Sequence, residues 1–162
     1  MAVADARGSQ WAKWDLQVHT PASFFHCYPG SDEDEQWDGF LADLAALPPE
    51  FEVVAVCDYI FLDGYRRVRQ AWEDGLLPNL RLVLPAAEFR LSSFGGTDSR
   101  LRRINAQVIF SDELAVDTIE AQFHSALNRK YALTKEPEGY QWQAVVTRES
   151  LRDLGEVASR GV

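Results

Sequence analysis

The segment Val53-Val54-Ala55-Val56 is short, β-branched and continuously apolar, and it ends at Cys57-Asp58-Tyr59. A strand with one solvated face alternates apolar and polar residues. An unbroken run of this kind needs cover on both faces and predicts a buried parallel strand. Parallel strands are joined by crossover helices, and the flanking sequence supplies two. Upstream, Trp37, Phe40, Leu41, Leu44 and Leu47 recur at helical spacing between the acidic Ser31-Asp32-Glu33-Asp34-Glu35 and Pro48-Pro49, with Ser31 as the expected N-cap. Downstream, Asp63 is placed to cap a second helix with Tyr65, Val68 and Trp72 on one face, and Gly75 supplies its stop.

The same alternation continues on both sides. Trp14 to His19 predicts a first strand, ended by Thr20-Pro21 because proline cannot donate to a ladder. Leu80 to Leu84 predicts a third strand running into Pro85 and Glu88. A loop from Ser92 to Arg103 holds Gly95-Gly96 and leads to a fourth strand, Ala106 to Phe110. Val116, Ile119, Phe123 and Leu127 set a third helix; the pattern weakens from Lys130 to Gln143, and Thr147 opens a last amphipathic segment with Leu151 and Leu154. Strands alternating with helices predict an α/β fold with a mostly parallel sheet, open or curling into a partial or distorted βα barrel. With 162 residues and 46% hydrophobic content the chain is expected to form a single domain over residues 1–162. That domain is expected to be incomplete at its C-terminal end.

Sixteen basic residues against 25 acidic ones give a net charge of −9, a sign that opposes long-range attraction to nucleic acid or to an anionic membrane. No stretch approaches the roughly 20 apolar residues that span a bilayer. Cys27 and Cys57 stand far apart, which points to neither a zinc ribbon nor a disulfide framework. A cytoplasmic protein without membrane partners is the expectation.

In parallel α/β folds the working residues gather where strands end. Here those positions hold Gln17 and His19, then Asp58, then Glu88, then Gln107. A buried strand normally spends its positions on Val, Ile and Leu, so a polar group there needs a partner or a purpose.

These residues resemble a known family. Trp14-Asp15-Leu16-Gln17-Val18-His19-Thr20-Pro21 is similar to the opening strand of PHP (polymerase and histidinol phosphatase) domains, Val56-Cys57-Asp58-Tyr59 to the second motif, Leu84-Pro85-Ala86-Ala87-Glu88 to the third, and Asn105-Ala106-Gln107-Val108-Ile109-Phe110-Ser111 to the fourth. Within that family the resemblance is nearest to the N-terminal PHP domain of large SMC-like coiled-coil ATPases of bacterial defence and repair systems. Phe94-Gly95-Gly96-Thr97 and Ile109-Phe110-Ser111-Asp112-Glu113 are its more specific parts. The resemblance implies a distorted βα barrel with divalent metal, zinc, manganese or iron, that activates water against phosphoesters. It further implies His19, Glu88 and Asp58 as ligands, with Glu88 and His19 in the catalytic role. As partner it implies an ATPase or coiled-coil region in the same or another chain, and through that an indirect link to nucleic acid.

The pattern departs from the family at three ligand positions: Gln17, Tyr59 and Gln107 stand where histidines belong. A carboxamide oxygen is a weak neutral ligand beside an imidazole, so each replacement removes binding energy. Only His19, His26 and His124 remain in the chain. Arg100, Arg102 and Arg103 in the Gly95-Gly96 loop are candidates for holding a phosphate by charge-assisted hydrogen bonds. The function expected from this balance is a degenerate PHP-type module retained as a scaffold or partner-binding element. The alternative is a metal-dependent phosphoesterase or nuclease.

Overall fold

The structure is a computed structural model that describes residues 11–24, 27–97, 100–127, 147–149 and 151–152. The chain divides into two compact units, Met1–Glu113 and Leu114–Val162.

Among the described residues the first unit holds four strands, β1 (Lys13–Val18), β2 (Phe51–Tyr59), β3 (Leu82–Gly95) and β4 (Arg102–Ile109), with helices α1 (Glu33–Ala45) and α2 (Asp63–Glu73) between the first three. Sheet order follows the chain, β1-β2-β3-β4. β1 and β2 are parallel, as are β2 and β3, whereas β4 runs antiparallel to β3. This corrects the expected fold class. The sheet is small and mixed rather than a mostly parallel wall of a PHP-type βα barrel. The physical reason lies in the segment read as a loop from Ser92 to Arg103. β3 continues to Gly95, the chain reverses, and β4 returns beside it from Arg102. A hairpin reversal needs no crossover helix, so the βα alternation stops at the third strand.

β2 is buried on both faces from Val53 to Asp58, as its unbroken apolar run requires. Its register sorts those faces. Val54, Val56 and Asp58 share one with Val83, Pro85 and Ala87 of β3, and Ala55, Cys57 and Tyr59 share the other with Leu84, Ala86 and Glu88. α2 lies on the first face, because Gly64 in its opening turn sits directly against the Asp58 and Thr20 side chains. The right-handedness of parallel crossovers places α1 on the same side, with Trp37, Phe40 and Leu44 buried.

Local chemistry sets the helix ends. Asp32, not Ser31, is the N-cap of α1: its carboxylate accepts from the Glu35 N–H at 2.9 Å, while Ser31 N–H and Oγ both donate to Glu35 Oε2 at 2.8 Å. Longer reach lets Glu35 close the box backwards and leaves the cap to the residue next to the helix. α2 begins after Leu62 without a side-chain cap. It ends at Gly75, whose φ of 79° permits the Leu76 N–H to reach back to the Ala71 carbonyl. At the end of β2 the chain turns through Ile60, a β-branched residue at φ 67°. The Phe61 N–H bonds the Tyr59 carbonyl at 2.7 Å around it, a strained three-residue turn costing about 1–3 kcal/mol.

In the second unit, the expected third helix forms as one run, α3 (Val116–Ile119), a π-helical stretch at Glu120–His124 and α4 (Ser125–Leu127). Ile119 and His124 are buried. Residues 130–143, where the periodicity weakens, and Leu154 lie outside the described residues. No helix among the described residues is long and apolar enough to cross a membrane.

Candidate functional site

Glu88 is the centre of the site: its side chain is 1% exposed, at the point where β3 leaves β2. A buried carboxylate is costly unless donors surround it, and three side chains do. Gln17 Nε2 donates to Oε2 at 3.2 Å, His19 Nε2 lies 3.2 Å from the same oxygen, and Asn105 Nδ2 donates to Oε1 at 2.5 Å. The two amides come from the strands that flank β2 and β3, and His19 from the turn just past β1.

A bulge in β1 delivers Gln17. Asp15 pairs with Val54 and Val18 with Val56, so three steps along β1 match two along β2. The extra residue turns Leu16 and Gln17 to one face. Leu16 packs against Ala55, Cys57 and Ala86, and Gln17 reaches Glu88. Asp15 steadies the bulge by accepting the Gln17 N–H at 3.1 Å. Without it, a period of two would send Gln17 to the helix face beside Asp15.

His19 stands just past β1 between two acids, with Nδ1 3.9 Å from Asp58 Oδ1 and Nε2 toward Glu88. Its ring stacks on Tyr59 at a centroid distance of 5.1 Å. The Tyr28 hydroxyl donates to its carbonyl at 2.6 Å. Burial, with Asp58 and Asp43 nearby, pushes the Tyr28 phenol up, so it remains a donor. Asp58 belongs to the other face. Its two oxygens accept the Thr20 N–H at 2.8 Å and the Thr20 hydroxyl at 2.7 Å, all buried. It clasps the β1 turn to the end of β2, and Gly64 lets α2 close over that clasp.

The strand-end residues named from the sequence fall into different places. Gln17, His19 and Glu88 are bonded together, Tyr59 supports the histidine, and Asp58 touches His19 only from the rear. Gln107 pairs with Glu88 in register, but the bond to Glu88 comes from Asn105, two residues earlier on the same face and likewise an exposed residue. Sequence reasoning passed over Asn105, Thr20 and Gly64. The period of two on β4 was the available signal for Asn105. Arg102 and Arg103 sit opposite Gly95 and Phe94, with Arg100 in the turn before them. Arg103 is four residues, roughly 13 Å of strand, from Gln107, so these cations do not join the Glu88 cluster. His26 lies outside the described residues.

The described residues around Glu88 do not fit a multinuclear metal centre. Zinc, manganese and iron take lone pairs, but both amides turn N–H groups inward. Rotating either amide would oppose its oxygen to a carboxylate oxygen. Among the described residues no group of three or more His, Cys, Asp or Glu is arranged to hold a metal ion.

Cys57, beside Glu88 in the core, has its thiol pushed up to about 12 by burial, with Glu88 and Asp58 adding to the effect. Cys27 is exposed. Native chain is expected to take one maleimide label per molecule at pH 7 and still one at pH 9, and two in denaturant, as read by mass spectrometry. Two native labels at pH 7 would contradict the buried placement. Because the unfolded thiol ionises near 9.0 and the buried one near 12, this group lowers stability as pH rises through that window.

No family model, curated protein or solved structure matches the chain.

Proposed function

We propose that this chain is a degenerate module of the phosphoesterase type, resembling PHP domains in its strand-end motifs, that serves as a scaffold or partner-binding element. The partner that the resemblance implies is an ATPase or coiled-coil region, in the same or another chain, of a nucleic-acid-processing or defence system. One observation carries the non-catalytic half of the proposal: both oxygens of buried Glu88 accept from side-chain amides, Oε2 from Gln17 and Oε1 from Asn105, and His19 Nε2 stands 3.2 Å from Oε2. A carboxylate solvated in this way is a structural strut. A hydrolytic centre needs the same oxygens directed at a cation or at an attacking water.

The test is elemental analysis after loading with zinc, manganese and iron, run beside a phosphodiesterase assay. The unmodified chain is expected to retain less than one ion per molecule and to show no turnover above background. Loss of outer supporting groups alone costs about 10-fold to 100-fold in metal affinity or activity, and here three imidazoles are missing. The variant Gln17→His/Asn105→His, which puts imidazoles at the two positions that reach Glu88, is expected to raise metal retention. Two or more tightly held ions in the unmodified chain, with turnover abolished by Glu88→Gln, would instead establish the metal-dependent phosphoesterase.

A further inference from the structure

Past Glu88, among the described residues, β3 loses its pairing with β2 and continues with β4 as a ribbon out to Gly95 and Arg102. A pair of strands by itself is marginal in water. This pair nevertheless presents Leu91, Phe94, Leu101 and Ile104, which are between 40% and 59% exposed. Arginines are set among them. The Arg103 guanidinium lies over the Phe94 ring at 5.7 Å, and Arg100 and Arg102 are exposed. From Phe89 to Ile109 the sequence has four arginines and one acid, Asp98, in a chain whose net charge is −9.

The opposite charge is concentrated on α1. From Asp32 to Ala45 there are six acids and no base. Glu33 and Asp34 are 78% and 87% exposed even beside Arg67, at 3.9 and 3.4 Å. Exposed aliphatic and aromatic groups mixed with arginines are the composition of a protein interface. They give little to a phosphate backbone, which the net charge also repels.

We infer that two copies of this chain associate about a two-fold axis, the cationic β3–β4 ribbon of each lying against the acidic α1 of the other. A two-fold arrangement makes the contact twice and closes, where a single head-to-tail contact would propagate. Repulsion between the two net charges is screened beyond about 8 Å at physiological salt, while arginine–carboxylate bonds act at closer range. The contact is separate from the Glu88 cluster, so its failure would leave the proposed function untouched.

Sedimentation velocity of the full chain over a concentration series at physiological salt tests this, with circular dichroism confirming that each variant is folded. The unmodified chain is expected to shift from monomer to dimer with concentration. A ribbon variant, Arg100→Glu/Arg102→Glu/Arg103→Glu, and a helix variant, Glu33→Lys/Asp34→Lys/Asp38→Lys, should each remain monomeric. Mixed in equal amounts they should form the dimer again, because one contact then keeps the original charges and the other has them exchanged. A monomeric unmodified chain overturns the inference, including the case in which the ribbon shifts a DNA or RNA probe instead. So do variants that still dimerise alone, or a mixture that stays monomeric.

Discussion

Replacing Gly64 with alanine is expected to lower the stability of the Met1–Glu113 unit by about 3 kcal/mol, a fall of roughly 10 °C or more in thermal midpoint. An added Cβ would overlap Asp58 Oδ2 and Thr20 Oγ1. Both atoms are buried and bonded to each other, so neither can swing away as the tip of a long side chain would. Either the Thr20–Asp58 clasp opens and leaves a buried carboxylate short of donors, or the first turn of α2 backs off the sheet. Gly39→Ala on α1 is the control. A Cβ there meets nothing, and alanine in a helix interior gains up to about 1 kcal/mol over glycine. Equal effects at the two positions would mean that α2 does not close over Asp58 as described.

The second large effect is at Glu88. Glu88→Gln keeps the shape but turns an amide N–H₂ toward one of the two amide donors, Gln17 or Asn105, and Glu88→Ala leaves both without an acceptor. Each is expected to cost about 3 kcal/mol in metal-free buffer, since hydrogen bonds to a charged group are worth roughly 1.5–3 kcal/mol and removing one member of a buried set is penalised further. An acid kept for catalysis behaves in the other direction. Its charge is held against local electrostatics, and neutralising it leaves stability unchanged or raises it. Chemical denaturation in the presence of chelator separates the two, with the sign of the change as the readout.

Strand and helix positions were legible because burial writes itself into hydrophobic pattern. Val53 to Val56 could only be a strand covered on both faces, and Tyr65 and Val68 could only face it. Strand direction was not legible. Ala106 to Phe110 reads the same in either sense, and Leu91 and Phe94 do not show whether β3 has stopped or is turning back. The site was legible as a set of residue types at strand ends. What each does was hidden in features without periodic signal. A one-residue bulge in β1 aims Gln17, and a missing side chain at Gly64 admits α2. Asn105, two places before the expected Gln107, makes the bond, because the register of the antiparallel pair decides which amide comes within reach of Glu88.

The most direct measurement is the thermal midpoint of the unmodified chain and of Glu88→Gln, each followed across a titration of zinc, manganese and ferrous ion against chelator. A ligand that binds only the folded state raises the midpoint, because it adds stability that grows with the logarithm of its concentration over Kd, about 2.7 kcal/mol at a hundred times Kd. If Glu88 is held by Gln17, His19 and Asn105, the unmodified chain gains nothing from any of the three metals, and Glu88→Gln melts lower by the same margin throughout. A midpoint that climbs with metal in the unmodified chain and not in Glu88→Gln would contradict this, and would make Glu88 a metal ligand.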